Sequence, residues 1–400
     1  MPWLALALPD RAALAQEPLR AHLAGQGVLA LTHADPIPDG GSLTELRLVQ
    51  PALMLRAEGP RRIRLLVTLN LEGATIERGE LTPGAWGEGF VDRRHPHTYL
   101  HELMLTADDL LGAADGGTRV SLSAGKGFAP FGTDDPMIRP SLRYPVNHHL
   151  AQILERAVAI AAVRHGPVSG EVGLFNGDEP ERPGQWPRIG GRFGDSWAAR
   201  LTGEPVAGLE LQGSYAKVHS PEHRGGAGTD QLKWSLSAGW NGQVVGRRTS
   251  ALVEWARTSE AAGFFVFHSL LAEGAWQAGR HRLHYRFERT ERPEEQRISA
   301  FRSLRPHLEN SILGITRWTI HTAGYSSPRL EQGGVYVQPM LEISYGRVAM
   351  VGGGLFDPQQ LYGKDHFWSW SLGLRLGFGG GTHRMGRYGA ALSGSHLHQH

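Results

Sequence analysis

The run from His366 to Phe378, HFWSWSLGLRLGF, narrows the choice of fold more than any other part of the sequence. Trp, Leu and Phe alternate in it with Ser, Gly and Arg, which is the period-two pattern of a β-strand with one apolar face. Strands of soluble proteins are usually about 5–6 residues long, whereas a membrane-spanning strand needs roughly 9–11. Turning Arg375 toward lipid would cost about 2–4 kcal/mol near the bilayer midplane. The run therefore predicts a transmembrane strand whose Trp, Leu and Phe side chains contact lipid.

Similar alternation, interrupted by turn signals, recurs through most of the chain. It predicts strands at residues 46–57, 62–73, 99–107, 118–126, 156–165, 167–176, 195–203, 206–218, 229–241, 247–256, 264–274, 280–289, 308–320, 332–345, 347–355 and 367–378. The predicted fold is all-β: a transmembrane antiparallel up-and-down β-barrel of about 16 strands, or about 14, because bacterial single-chain barrels have even strand numbers. Short links are expected near 59–61, 204–205, 242–246 and 346 as periplasmic turns. The longer intervals predict extracellular loops, and a helix within 127–155 could fold into the lumen.

Composition agrees with a barrel and argues against other classes of protein. The 400 residues include 53 Gly and no Cys, which excludes disulfides and thiolate metal sites. No apolar run approaches the roughly 18 residues of a spanning helix. A formal charge of +2 predicts no nucleic-acid partner. Tryptophans at strand ends predict an aromatic girdle at the membrane interfaces: Trp197, Trp240, Trp255, Trp318 and Trp368.

The same patterns divide the chain into four parts. Residues 1–15 are expected to be a truncated signal peptide, because an apolar patch precedes small residues of the kind found at cleavage sites; the alternative is an ordinary disordered N-terminus. Residues 16–43 are expected to be a Pro/Gly-rich lead-in, and residues 44–379 the barrel. Residues 380–400 form a His-rich C-terminal tail, expected to be disordered beyond the last strand.

Charged residues on the polar strand faces are the candidate pore lining. They are Arg62, Arg64, Lys233, Arg248, Glu254, Arg282, Arg286 and Arg375. A barrel of about 16 strands is wide enough to leave an aqueous channel, and a mostly basic lining suits polar or anionic solutes. Lys126, in the segment GKGFAPFG, is a candidate for the pore mouth, with a loop cap as the alternative. These residues predict passive, porin-like passage.

A histidine-rich segment, DRRHPHTYLHEL, is the candidate metal site. Imidazoles with a nearby carboxylate suit Zn, Cu or Ni, and a later Asn-His-His sequence could supply further ligands. The candidate ligands are Asp92, His95, His97, His101, His148 and His149. The alternative is that these histidines only hold a loop against the barrel wall by hydrogen bonds.

Several segments resemble known barrel families. DRRHPHTYLHEL, SAGKGFAPFG, VNHHL, GEVGLFNGDEPE and DQLKWSLSAGW are similar to a family of uncharacterised Gram-negative outer-membrane β-barrel proteins with a D-x-x-H-P-H motif. The GKxxxPFG-like step and the LGLRLGFG ending more distantly resemble the porin superfamily that includes phosphate-selective porins. The first resemblance covers roughly residues 90–240 and maps its motif onto Asp92, His95, Pro96 and His97. Both imply an outer-membrane barrel, and neither implies a particular solute.

The sequence therefore predicts a porin-like channel in the outer membrane of a Gram-negative-type bacterium, with outer-membrane lipids and small solutes as partners. A homotrimer is one option for its assembly. The alternatives are a barrel that binds a transition metal, Zn or Cu, and a plugged structural barrel. Apart from that metal, no cofactor is expected. No enzyme activity is expected either, because the chain lacks the GxSxG signature of serine hydrolases.

Overall fold

The computed structural model describes residues 19–38, 40–75, 97–111, 117–135, 137, 141–299, 302–303, 312–379 and 384–391. Their regular structure is mostly β-strand, and 16 strands close into one antiparallel up-and-down barrel, as predicted. The strand segments are β1 (Arg20–Asp35), β2 (Leu43–Glu58), β3 (Ile63–Asn70), β4 (Leu100–Ala107), β5 (Thr118–Gly127), β6 (Arg156–His165), β7 (Val168–Phe175), β8 (Ser196–Val206), β9 (Leu209–Val218), β10 (Gln231–Val244), β11 (Arg247–Glu260), β12 (Phe265–Ala278), β13 (His281–Glu295), β14 (Arg297–Ser299), β15 (Arg302–Ser303), β16 (Ile312–Ser326), β17 (Leu330–Gln332), β18 (Val335–Val351) and β19 (His366–Phe378).

Neighbouring strands in the sequence are neighbours in the barrel, and β1 closes it by pairing with both β2 and β19. The short β17 pairs with β18 beside β16, so the sheet has 17 segments although the barrel has 16 strands. β14 and β15 form a separate two-stranded sheet. Tight turns gather at one rim, which we take as periplasmic. Between β10 and β11, for example, Val245 and Gly246 have φ of 50° and 69°, as a type I′ turn requires.

The two faces of each strand differ in chemistry, as the alternation predicts. The outer face carries exposed apolar side chains, among them Leu236, Val253, Leu283, Ile343, Trp368 and Leu372. The inner face carries buried polar or small residues, among them Lys233, Glu254, Arg286, Ser371 and Arg375. The predicted orientation of the last strand, with Arg375 inward, is confirmed. A closed barrel with an apolar outer surface satisfies its backbone internally and suits hydrocarbon outside, so this is a barrel of the outer membrane.

Three boundary predictions are wrong, and the errors of the first two cancel in the strand count. The expected lead-in, 16–43, contains β1, whose alternation is hidden by Gly, Ala and His at several positions. The strands predicted at 332–345 and 347–355 are one strand, β18, because Gly346 continues the pairing with β19 instead of forming a turn. The tight turn predicted at 204–205 lies at 207–208.

Trp318 is also misassigned in the sequence-based girdle. Its side chain points inward and is fully buried, because even-numbered residues of β16 face the lumen. The indole ring packs against Tyr362 and Phe367, with ring centroids 5.7 and 5.1 Å away. Trp318 therefore stabilises an inner apolar cluster near the extracellular rim and does not contact lipid.

Among the described residues, helices are short and lie outside the barrel strands. Their α-helical segments are Glu72–Thr75, His148–Ala151 and Pro358–Tyr362, and their 3-10 segments are Pro60–Arg62, Ala261–Gly263 and Gly389–Ala391. The helix predicted within 127–155 is thus a single turn, because the chain extends into β6 from Arg156. In the described part of the chain, no helix has the length and apolarity needed to cross a membrane.

Gly346 offers a test of the corrected strand β18. A Cβ atom at this position would lie 2.1 Å from Cζ of Phe367, whose ring covers the glycine from the neighbouring strand. Gly346→Val should therefore destabilise the barrel by about 1–3 kcal/mol through overpacking. The measurement is the temperature at which the heat-modifiable folded band is lost on a gel. The control is Gly203→Val, where an added Cβ meets no atom within 4 Å; equal midpoints for the two variants would contradict the packing.

Candidate functional site in the barrel lumen

The described residues between β5 and β6 fold into the barrel, and we call residues 128–135, 137 and 141–155 the luminal loop. Its apolar side chains Phe128, Phe131 and Tyr144 are buried against the inner wall and against other luminal residues. The wall holds the loop by its backbone amides, which donate to inward side chains of three strands. The amide of Gly132 donates to Ser214 Oγ at 3.0 Å, that of Leu142 to Glu342 Oε1 at 2.6 Å, and that of Val146 to Glu288 Oε1 at 2.6 Å.

A second segment fills the lumen from the periplasmic end. Residues 384–391, here called the luminal tail, follow the last strand and return into the barrel, where Met385 and Tyr388 join the inner apolar cluster. The Tyr388 hydroxyl donates to Glu102 Oε1 at 2.8 Å and accepts from the amide of Phe128 at 3.0 Å. The expectation of a disordered tail over 380–400 is therefore wrong for these eight residues. Residues 380–383 and 392–400 lie outside the described residues.

Ion pairs fasten the luminal tail to the luminal loop and the wall. Arg384 Nε lies 2.5 Å from Asp134 Oδ2, and its Nη1 lies 2.9 Å from Glu210 Oε2. Arg387 Nε lies 3.0 Å from Asp134 Oδ1. Burial opposes the charge on Arg384, but Asp134 and Glu210 outweigh it and raise the pKa of its guanidinium above the ordinary value. Asp134 thus connects the two luminal segments.

Arginines on the opposite side of the lumen have a different environment. Arg143 of the luminal loop, Arg282 and Arg286 of β13 and Arg375 of β19 make up what we call the arginine face. Among the described residues, Nη2 of Arg143, Nη2 of Arg286, and Nε and Nη2 of Arg375 are buried without a hydrogen-bond partner. Arg375 also acts electrostatically on Arg282. The arginine face therefore has several guanidinium N–H groups that can still bind an acceptor.

Carboxylates balance only part of this charge. Arg286 Nε donates to Glu273 Oε2 at 3.0 Å and its Nη1 to the carbonyl oxygen of Arg143 at 2.7 Å. By contrast, Arg200 on β8 forms a two-point pair with Glu171 at 2.6 and 2.7 Å, and it also donates to luminal carbonyl groups. The lumen thus has a closed side near β4–β9 and the arginine face near β13–β19.

Most of the predicted pore-lining residues do face inward. Those on the inner face are Arg64, Lys233, Arg248, Glu254, Arg282, Arg286 and Arg375. Arg248 is exposed near the periplasmic rim. Arg62 lies in the periplasmic turn before β3, where its side chain is 47 % exposed and pairs with Asp109 at 2.6 Å. Glu254 serves the luminal loop, accepting hydrogen bonds from Asn147 Nδ2 at 2.8 Å and Thr133 Oγ1 at 2.5 Å.

Lys126 does not open onto a pore mouth. It is buried at the extracellular end of β5, where its Nζ donates to Thr98 Oγ1 and to the carbonyl oxygen of Leu100. Lys126 therefore ties the start of β4 to β5. The position of Lys126 agrees with the alternative hypothesis that the GKGFAPFG segment is a loop cap.

The structure brings together three of the predicted metal ligands. The ring centroid of His97 is 5.1 Å from that of His101 and 5.3 Å from that of His148, although His148 comes from a different segment of the chain. Asp92, His95 and the side chain of His149 lie outside the described residues. Asp135, Glu155 and Glu72 surround these histidines but were not predicted from the sequence as part of the site. For Asp135, the available signal was the pair of aspartates that follows GKGFAPFG after one threonine.

Known outer-membrane porins share this barrel fold. An anion-selective porin from Comamonas acidovorans is 10% identical, with 90% of this chain and 100% of that chain covered and a TM-score of 0.53. A loop L8 deletion mutant of OmpT, an outer membrane protein of Vibrio cholerae, is 10% identical, with coverages of 90% and 100% and a TM-score of 0.52. Salmonella typhi OmpF in complex with daunomycin is 11% identical, with coverages of 90% and 97% and a TM-score of 0.50.

At these identities the likeness concerns the fold alone. No protein-family model and no curated protein matches the chain. The resemblance to porins is confirmed at the level of the barrel, whereas the likeness to the family with the D-x-x-H-P-H motif stays a prediction.

Proposed function

We propose that this protein is a porin-like channel in the outer membrane of a Gram-negative-type bacterium, through which small polar and anionic solutes pass along the arginine face. The observation that carries the proposal is the set of buried guanidinium N–H groups without hydrogen-bond partners on Arg143, Arg286 and Arg375. A buried donor left unsatisfied costs about 1–3 kcal/mol, and more when it is charged. A passing anion, or the water that accompanies it, supplies the missing acceptors.

Arginine suits this role for geometric reasons. Its planar guanidinium offers several N–H groups in fixed directions, and these match the oxygens of carboxylate and phosphate groups. Conduction also requires binding weak enough for release. Glu273 and Glu342, close to the arginine face, reduce its net charge and so prevent a passing anion from being trapped.

The two luminal segments set the size limit of the proposed path. The luminal tail and the first part of the luminal loop fill the side of the lumen near β4–β9, where ion pairs satisfy Arg200, Arg384 and Arg387. Because these segments occupy part of the lumen, we expect passage to be restricted to small solutes. A barrel plugged throughout is the second candidate, favoured by the same filling of the lumen.

We propose passage and not catalysis, since the inward charged groups are explained by pairing with the luminal segments and by solute contact. A homotrimer is the assembly that we propose by analogy with the OmpT structure from Vibrio cholerae described as a trimer form. Chemical cross-linking of the folded protein in detergent tests this assembly.

Replacing one arginine tests the proposed path. Arg375→Gln should lower the anion-to-cation permeability ratio by roughly threefold to tenfold, because losing one charge beside a passing ion changes its energy by about 1 kcal/mol after screening. The measurement is the reversal potential of single channels in a KCl gradient. The matched control is Arg248→Gln, at the exposed periplasmic rim, where a change of less than about twofold is expected because surface charges are well screened. Equal effects of the two substitutions would contradict an arginine-lined path.

A further inference from the structure

The histidine cluster at the extracellular end of the lumen is not explained by solute passage. Its members are His97, His101 of β4, His148 of the luminal loop and the adjacent Asp135, and all four side chains are buried. His101 Nδ1 lies 2.5 Å from Glu155 Oε1. His97 Nδ1 lies 3.1 Å from Glu72 Oε2 and 3.0 Å from Asn70 Nδ2.

Glu155 fixes the direction of the His101 lone pair. An ionised carboxylate only accepts hydrogen bonds, so the Nδ1 atom of His101 that faces Glu155 carries a proton. In the neutral ring, Nε2 then has a bare lone pair, which is the form in which histidine binds metals. Nε2 of His97 and Nε2 of His101 have no hydrogen-bond partner among the described residues, and neither has Oδ2 of Asp135.

The distances between the imidazole nitrogens and the Asp135 carboxylate distinguish a hydrogen bond from shared metal ligation. His101 Nε2 lies 3.6 Å and His148 Nε2 lies 3.8 Å from the same oxygen, Asp135 Oδ2. A bare imidazole nitrogen and a carboxylate oxygen repel each other unless a cation lies between them. A shared proton would draw them to about 2.7–2.9 Å. Two ligands of a tetrahedral zinc ion, each about 2.0–2.1 Å from the metal, are about 3.3 Å apart.

The observed spacing is therefore nearer to that of metal ligands than to that of a hydrogen bond. It is a few tenths of an ångström too wide, and within the described residues no group of side chains is drawn together tightly enough to hold an ion as it stands. A shift of the Asp135 carboxylate by a few tenths of an ångström would close the difference.

We propose that His97, His101, His148 and Asp135 bind one divalent transition metal ion of the zinc class. Three imidazoles and one carboxylate form a donor set suited to Zn²⁺ and, with less regular geometry, to Cu²⁺. Glu155 and Glu72 act as outer partners that orient His101 and His97. The ion connects strand β4 to the luminal loop, and it does so whether or not the lumen conducts.

The test is titration of the refolded full-length protein with Zn²⁺, followed by equilibrium dialysis and metal analysis. One tightly bound ion per chain is expected. Asp135→Asn should weaken the affinity by more than about 100-fold, and Glu155→Gln by about 10- to 100-fold, as removal of an outer partner does. His165→Gln, at an exposed periplasmic turn, is the matched histidine control and should leave the affinity unchanged. Removing residues 392–400, which include His396, His398 and His400, should also leave it unchanged.

Three results would overturn the proposal. They are absence of stoichiometric Zn²⁺ binding, binding that survives Asp135→Asn, and binding lost with residues 392–400. Heat-modifiable gel mobility shows whether each variant folds. If Asp135→Asn does not fold, the Co²⁺ complex of the unmodified protein decides, because tetrahedral nitrogen and oxygen ligation gives intense visible absorption and an octahedral surface site does not.

Discussion

Removing residues 384–400 should raise the single-channel conductance several-fold while the barrel still closes. The luminal tail occupies the side of the lumen near β4–β9, and its Met385 and Tyr388 are among the buried residues there. When the luminal tail is removed, water enters the lumen and hydrates Asp134 and Glu210. These carboxylates are therefore not left dry after they lose their arginine partners. The β1–β19 pairing that closes the barrel ends before the tail, so closure does not depend on it. The measurement is conductance of the refolded protein in planar bilayers.

A shorter truncation and a double substitution are the controls for this experiment. Removing only residues 392–400 keeps Arg384 and Arg387 and should leave the conductance unchanged. Arg384→Ala with Arg387→Ala in the full-length chain should resemble the long truncation, because breaking a buried ion pair costs about 3–5 kcal/mol and frees the tail. Equal conductance of the two truncations would show that the tail does not restrict the lumen.

Glu254→Ala should detach the luminal loop from the wall and make the open-channel current noisier. Glu254 on β11 holds the loop at Asn147 and at Thr133, at 2.8 and 2.5 Å. Hydrogen bonds to a charged group contribute about 1.5–3 kcal/mol each, so losing both weakens the loop's attachment by about 3–6 kcal/mol. Current fluctuations at constant voltage measure the effect.

The matched control is Glu204→Ala. This glutamate on β8 pairs with Arg164 of β6 at 3.3 Å, near the periplasmic rim and away from the loop. The Glu204→Ala substitution should leave the noise of the open-channel current unchanged. If Glu204→Ala and Glu254→Ala gave the same current fluctuations, the luminal loop would not be restrained by Glu254.

Sequence patterning predicted the wall of the barrel well because alternation is a local signal. Each inward position is separated from the next by one outward residue, so Arg286 and Arg375 could be assigned to the lumen from their neighbours alone. Strand β1 escaped detection because its small residues weaken the alternation. Trp318 was assigned to the wrong face, since a tryptophan at a strand end satisfies the girdle pattern whichever way it points.

The contents of the lumen could not be predicted in the same way, because they depend on contacts between residues far apart in the chain. Arg384 meets Asp134 across 250 positions, and no local pattern predicts that the two residues pair. The histidine cluster could be predicted from the sequence only in part. His97 and His101 were identified from their spacing, whereas Asp135 joins them only because the luminal loop folds inward.

The most direct test of a porin-like channel is the reversal potential of the refolded full-length protein in a planar bilayer with a KCl gradient. A steady conductance with preference for chloride is the predicted result, because the arginine face has guanidinium N–H groups that lack hydrogen-bond partners among the described residues. The absence of any conductance from folded protein, both before and after removal of residues 384–400, would contradict the account and leave a plugged structural barrel.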